Sequence, residues 1–495
     1  MITVQLRTVA SVLGGILKWV SLPLAAPLAL AILDGTDPVP WLLAVAIALG
    51  VGLALERIER DDLYDREAFL IVALAWLSIA LLGAIPLYLE GTGVFSQPIN
   101  ALFEAMSGIT TTGATVIIDF DAHSRPLLLW RQIIQWLGGL GILLLATAVL
   151  SRLSVAGAQL MESETATEEL TKLTPSIAGT AKILVGLYAV LTAGATLILV
   201  VLGASGMAPE MTLFDAVSHA MTSIGTAGFS PRAESVGAFA PVVHWAIILF
   251  MIVGATNFVL IYALIRGNTQ RLRDSEEFHF YLGILGVGTL LVFLLLVSDG
   301  TYTNGTLTTI RESLFQVVSI VTTTGFASTD FNLWSPAAKN VLFIGMFLGG
   351  MVGSTTCSIK TLRWLLVVKG FRRDLAVSAH PDRILPVRLS GTVVEESTIR
   401  DVYAYTLIAI LIFLVSTVLI VANEARGAGV GEFEAMSAAA STFLNIGPAF
   451  GDAGPYGSYE GFTRSTKLLM TVLMWVGRIE IIPVLVLLTP KFWTR

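Results

Sequence analysis

What most constrains this 495-residue chain is a series of apolar stretches, each about as long as a bilayer is thick. A hydrocarbon core of about 30 Å takes about 20 apolar residues in helical form. Segments of that kind lie near residues 11–33, 40–56, 68–88, 127–150, 180–203, 239–265, 279–298, 338–369 (interrupted), 401–422 and 464–489. In hydrocarbon the backbone must satisfy its own hydrogen bonds, so the expected fold class is all-α integral membrane. Composition agrees: 55% of residues are hydrophobic and 13% charged, against about 25% charged in soluble domains. The first apolar segment shows no small-residue cleavage pattern and reads as an uncleaved span.

Four shorter amphipathic segments, near 99–111, 212–226, 308–324 and 432–446, each fall in a gap between two spans. Their length is about half a membrane, which makes them re-entrant. Lysine and arginine collect on the cytoplasmic side of membrane proteins. With the N-terminus inside, Arg57, Arg60, Arg266, Arg271, Arg273, Arg372 and Arg373 are cytoplasmic, and a smaller set falls outside: Arg125, Arg131, Arg232, Arg311, Lys339, Arg426, Arg464 and Lys467. Both termini are therefore expected in the cytoplasm and all four short segments on the outer face.

The short segments repeat. "FEAMSGITTTGA" begins at Phe103, "FDAVSHAMTSIGTAGF" at Phe214, "FQVVSIVTTTGF" at Phe315 and "FEAMSAAASTFLNIGPAF" at Phe433. Each carries Phe-x-x-x-Ser, and each closes on a glycine, ten residues on at Gly113 and Gly325 and fourteen on at Gly228 and Gly447. In the second unit Gly225 is a rival to Gly228, which alone shares that spacing and the aromatic after it. One threonine-glycine run would be read as close helix packing; packing gives no reason for four copies in one register. Non-helical backbone at membrane depth must be buried in protein or line water. Four half-helices entering from outside would aim the negative ends of their dipoles at a shared centre, which favours a cation. Carbonyls after those ends can replace its hydration shell, and glycine permits the backbone angles required. Thr212 with Asp215, Thr309 with Glu312, and Asn100 fit as helix caps at the outer ends.

Two further features stand out inside spans. "GGMVGSTTCSIK", residues 349–360, interrupts the eighth; glycine costs a helix interior about 1 kcal/mol each, so an unwound loop or a kink is expected. Arg478 lies within the last span, where a charge costs at least ~2.5–3.5 kcal/mol and calls for a function or a partner. Glu480, two residues on, lies on another face and is no automatic partner. Asn257 in the sixth span could bond that loop or another helix.

Other classes fit poorly. The five histidines are scattered, no HExxH or nucleotide fingerprint occurs, and no basic block suits nucleic acid. Cys357 is the single cysteine, which excludes an internal disulfide. An alternating-access carrier of the broken-helix kind would show inverted repeats, whereas these run the same way. The chain reads as a transporter and not an enzyme.

These residues, with "WLGGLGI" from Trp136, "GATNFVLIY" from Gly254, "MFLGGMVGSTTCSIKT" from Met346, "GRIEI" from Gly477 and the closing "LTPKFW", resemble the Trk/Ktr/HKT superfamily of potassium transporters, specifically its TrkH/TrkG branch. The resemblance implies four parallel helix–pore loop–helix repeats around one pore, at 61–155, 156–275, 276–390 and 391–495, after a two-helix N-terminal part at 1–60. It implies a potassium filter at Thr110, Thr111, Thr112, Gly113, Thr226, Ala227, Gly228, Thr322, Thr323, Thr324, Gly325, Asn445, Ile446 and Gly447. In plant relatives a serine at the first glycine goes with sodium preference; here that position is Gly113. Leu444, Asn445 and Ile446 replace the first unit's three threonines, so selectivity is expected to be looser than in a channel with four identical loops. The resemblance also implies an intramembrane gate of Gly349, Gly350, Gly353, Ser354, Thr355 and Lys360, with Arg478 projecting into the pore. The family shows more glycine where this chain has Thr356, Cys357 and Ser358. It further implies a homodimer in a bacterial inner membrane, with no cofactor of its own. NAD or ATP/ADP would act only through a cytosolic TrkA-like ring docked on loops such as 266–273 and 369–388, which the charge rule alone also makes basic. A less selective sodium and potassium transporter coupled to protons or sodium is the alternative.

Overall fold

The structure, a computed structural model, describes residues 4–145, 177–300, 305–383, 385–425 and 430–494. The far end of the fourth expected span (146–150), the expected 155/156 repeat boundary and Arg426 lie outside the described residues. Among those described, seven helices are long and apolar enough to cross a membrane: Leu6–Asp34, Val39–Glu56, Arg66–Glu90, Arg125–Leu145, Gly179–Ala204, Glu276–Ser298 and Glu396–Glu424. Their outward faces carry exposed large apolar residues such as Leu197, Leu290, Leu411 and Val418. On a soluble monomer so much exposed apolar surface would be a liability; against lipid it is what solvation requires.

The three other expected spans are broken. Pro241–Gly254 and Phe258–Ile265 meet at a bend of 106°. Pro336–Gly345 is separated from Thr361–Ala379 by a loop, and Arg464–Arg478 from Ile482–Leu487 by a short turn. Only the second of these breaks was expected. A count of apolar residues measures length and is blind to a reversal of direction. At the last break Glu480 (φ 58°) and Ile481 (φ 26°) take positive angles that side chains disfavour.

Between the long helices lie four short ones, Pro98–Ile109, Leu213–Ile224, Thr306–Val321 and Glu432–Leu444, with their C-terminal halves buried. Thr212 and Asp215 form the expected capping box. The other two expected caps do not form. The first helix starts at Pro98, whose missing N–H needs no cap, and Asn100 Nδ2 donates to Val94 O at 2.9 Å. The third starts at Thr306, so Thr309 is already helical and its hydroxyl donates back to Gly305 O at 3.0 Å. A two-stranded hairpin, Arg388–Leu389 with Thr392–Val393, packs with Leu362, Leu366 and Val402 in a small separate core.

Candidate functional site

All four short helices end alike. One residue takes a positive φ, the next an ordinary one, and the glycine after it a positive φ again: Thr111 (51°) and Gly113 (82°), Thr226 (46°) and Gly228 (83°), Thr323 (52°) and Gly325 (81°), Asn445 (55°) and Gly447 (111°). The amide before each glycine folds back at 2.9 Å onto the carbonyl six residues before that glycine, so that Thr112 bonds Ser107, Ala227 bonds Thr222, Thr324 bonds Ser319 and Ile446 bonds Ser441. This is the six-to-one bond of a Schellman cap, whose left-handed position glycine usually fills. Threonine fills it in three units at roughly 1–2 kcal/mol each, so the side chain must contribute something glycine lacks. Gly225 is right-handed and caps its helix, which leaves Gly228 as the counterpart of the other three.

The four loops abut one another in order. A Cβ at Gly113 would come 2.5 Å from the carbonyl oxygen of Ala227, and one at Gly447 2.7 Å from that of Thr112. Cβ atoms at Gly228 and Gly325 would overlap the carbonyls of Thr324 and Ile446 more closely still. The approaches run from first unit to second, third, fourth and back to the first. All four glycines line a single cavity of about 150 Å³, together with Thr115, Arg131, Arg232 and Tyr459. The carbonyl oxygens of Thr110 to Thr112, Thr226, Thr322 to Thr324, Asn445 and Ile446 accept no hydrogen bond from any described residue, although every one of these residues is buried. Fewer than about one in ten buried backbone groups is left so. Chemically, such a cluster can replace the water around a hard cation.

Beneath these loops lies the segment between Gly345 and Thr361. Its base is closed by Gly349 N to Ile359 O (2.9 Å) and Thr361 N to Gly350 O (3.1 Å). Its middle meets the bend in the sixth span: Met351 N donates to Ala255 O (3.0 Å), Thr355 Oγ1 to Gly254 O (2.9 Å), and Phe258 N to Gly353 O (3.0 Å). The two breaks thus satisfy each other's backbone. Among the described residues the Asn257 side chain bonds neither the segment nor another helix; its Oδ1 caps Phe258–Ile265 by accepting from Val259 N at 2.8 Å. Upward, the segment touches the left-handed threonines, with Thr355 Oγ1 2.9 Å from Thr226 Oγ1 and Cys357 N donating to Thr323 Oγ1 at 2.9 Å. Ser354 Oγ stays within the segment, donating to Met351 O.

Arg478 is fully buried and holds this layer together. It donates to Thr355 O (3.1 Å), to Cys357 Sγ (2.7 Å) and across to Gly138 O (2.7 Å). Glu480 takes a different partner, Arg363, at 2.6 Å. The Lys360 ammonium is buried and donates to the carbonyl and hydroxyl of Thr356.

Three participants escaped the sequence reading. Arg131, assigned there to the outer aqueous face, is buried inside the protein and pairs with Glu104 at 2.7 Å; Glu104 also accepts from Val116 N in the outgoing loop. Gln135 bridges the second loop. The Ser or Thr six residues before each glycine is the serine of Phe-x-x-x-Ser in the odd units, Ser107 and Ser319, and lies one helical turn beyond it in the even ones, at Thr222 and Ser441, where a register set on the phenylalanine misses it. Registering on the glycines would have revealed it.

The fold is that of a multi-pass helical membrane protein in which four short buried helices end in glycines that line one cavity. The family model TrkH, described as a cation transport protein, matches residues 42–303 and 300–495, and the chain belongs to that family. It is 34% identical to the Trk system potassium uptake protein TrkH of Halomonas elongata, over 99% of this chain and 100% of that one. It is 33% identical to TrkH of Escherichia coli K12, over 90% of each. The crystal structure of the potassium transporter TrkH from Vibrio parahaemolyticus superposes with a TM-score of 0.88 at 31% identity, covering 99% of this chain and 100% of that one.

Proposed function

We propose that this chain takes up potassium across a bacterial inner membrane through a channel-like pore, with the four units at 61–155, 156–275, 276–390 and 391–495 arranged around it and the residues 1–60 outside it. The observation that carries the reading is the set of unpaired, buried carbonyls beside four glycines that line one cavity. Potassium as the ion rests on the names of the relatives matched over nearly the whole chain. Gly113, in place of a serine, supports it.

The gate is the stretch 349–360, which bonds the left-handed threonines of the second and third loops and is latched by Arg478. With both termini cytoplasmic, this gate lies on the inner side of the filter. The regulator is a cytosolic nucleotide-binding ring that docks on a homodimer of this chain through the basic loops 266–273 and 369–388; the nucleotide binds the ring and not this chain.

Rubidium uptake into liposomes holding the purified protein tests the proposal. Potassium should block uptake at far lower concentration than sodium. Equal block by the two ions would contradict potassium selectivity, and uptake indistinguishable from empty liposomes, with the ring protein added, would contradict the pore.

A further inference from the structure

We infer that Gln135 is a positioning residue for the ion filter, clamping the second loop from a helix that belongs to the first unit. It rests on the pore reading above. Gln135 is fully buried on Arg125–Leu145. Its Nε2 donates to Ala227 O at 2.5 Å and its Oε1 accepts from Phe229 N at 2.9 Å. One side-chain amide therefore spans Gly228 and makes the pair of bonds that a neighbouring β-strand would make.

The helix reaches that position because of the two glycines that follow. A Cβ at Gly138 would overlap Ile109 O, and one at Gly139 would come 3.0 Å from Gly225 Cα. Larger residues would hold the helix away from the ends of both short helices and pull Gln135 out of reach.

Among the described residues the other units have no such clamp. Of the four carbonyls that precede the glycines, those of Thr112, Thr324 and Ile446 accept nothing from any described residue, and that of Ala227 alone is engaged. In the fourth unit the Tyr459 hydroxyl donates instead to Gly447 O at 2.8 Å, one residue later. An N–H donor on a carbonyl fixes its direction and competes with a cation for its lone pairs. Gln135 thus makes the second loop the stiff member of the four and its Ala227 carbonyl the weakest ligand for the ion. Selectivity among alkali cations depends on how many carbonyls reach the ion and how freely they follow its size, so the clamp bears on ion preference.

A matched control is one turn away. Gln132 is equally buried on the same helix and neither its Nε2 nor its Oε1 has a hydrogen-bond partner among the described residues. The experiment compares Gln135→Met, Gln132→Met and Gly228→Ser for inhibition of rubidium uptake by potassium and by sodium in liposomes. A single lost hydrogen bond corresponds to a change of about threefold to tenfold in an equilibrium ratio. The expected result is a fall of that size in the preference for potassium over sodium in Gln135→Met, with Gln132→Met unchanged. If Gly228→Ser alters the preference and Gln135→Met does not, the clamp is refuted and the pore stands. If neither alters it, the pore reading fails and the clamp with it. Should Gln135→Met not fold, Gln135→Asn, which keeps a buried amide but withdraws it by one methylene, is read against the same outcomes.

Discussion

At the scale of residues, two buried arginines illustrate different uses of one side chain. Arg478 faces no carboxylate among its three bonded partners; its acceptors are a carbonyl and a thiol on the segment 346–360 and a carbonyl on Arg125–Leu145. A charge held this way joins the segment above the last break to the helix bearing Gly138. Arg478→Ala should free the segment and raise rubidium flux several-fold in liposomes; flux at or below that of the parent in a well-folded variant would count against the latch. Arg131 is instead paired with Glu104. Removing one partner of a buried ion pair costs about 3–5 kcal/mol, so Glu104→Ala should unfold in detergent at a clearly lower temperature. Replacing both residues with apolar ones should recover much of that loss. Arg478 was legible in the sequence because it interrupts an apolar run. Arg131 was not, because its partner lies 27 residues away and nothing in a one-dimensional count separates a buried pair from an interfacial charge.

At the scale of elements, the central feature is that the three broken segments break beside the ends of short helices: Cβ atoms at Gly254 and Gly477 would crowd Ile224 O and Phe443 O, and Cys357 N bonds Thr323 Oγ1. "GGMVGSTTCSIK" was readable as a break because glycines and hydroxyls weaken a helix locally. The bend after Gly254 was not, since only Thr256 and Asn257 interrupt a long apolar stretch. That bend exists because the segment 346–360 supplies the bonds its backbone lacks, a tertiary cause with no local signature. Asn257 then starts the second half of the span by capping it. Losing such a cap costs about 1 kcal/mol, so Asn257→Ala should lower thermal stability modestly. Because the same bend anchors the segment, it should also raise flux; an Asn257→Ala protein with lowered stability and unaltered flux would separate the cap from the gate.

At the scale of the whole molecule, four similar units meet through their glycines in a closed sequence of contacts. The glycines that take a positive φ could be read from the sequence, Gly228 and not Gly225 among them, since a required backbone angle leaves a glycine behind. The order of contacts could not, because it lies in carbonyls that carry no residue identity. The fourth unit keeps the backbone of the other three with Asn445 in the left-handed position, and its Nδ2 donates to Thr112 Oγ1 at 2.8 Å, which ties the last unit to the first. Gly325→Ala, whose Cβ would overlap Ile446 O, should force the third and fourth units apart and weaken the preference for potassium while leaving the protein in the membrane; unchanged preference would mean that this contact does not shape the ion path.

The central claim is that a dehydrated cation sits among the unpaired carbonyls beside Gly113, Gly228, Gly325 and Gly447. Crystals grown in rubidium, measured at the rubidium absorption edge, test it most directly. The account predicts an anomalous peak on the cavity axis between the four loops, diminished when sufficient potassium replaces rubidium. A map with rubidium bound elsewhere in the protein and none between the four glycines would contradict it.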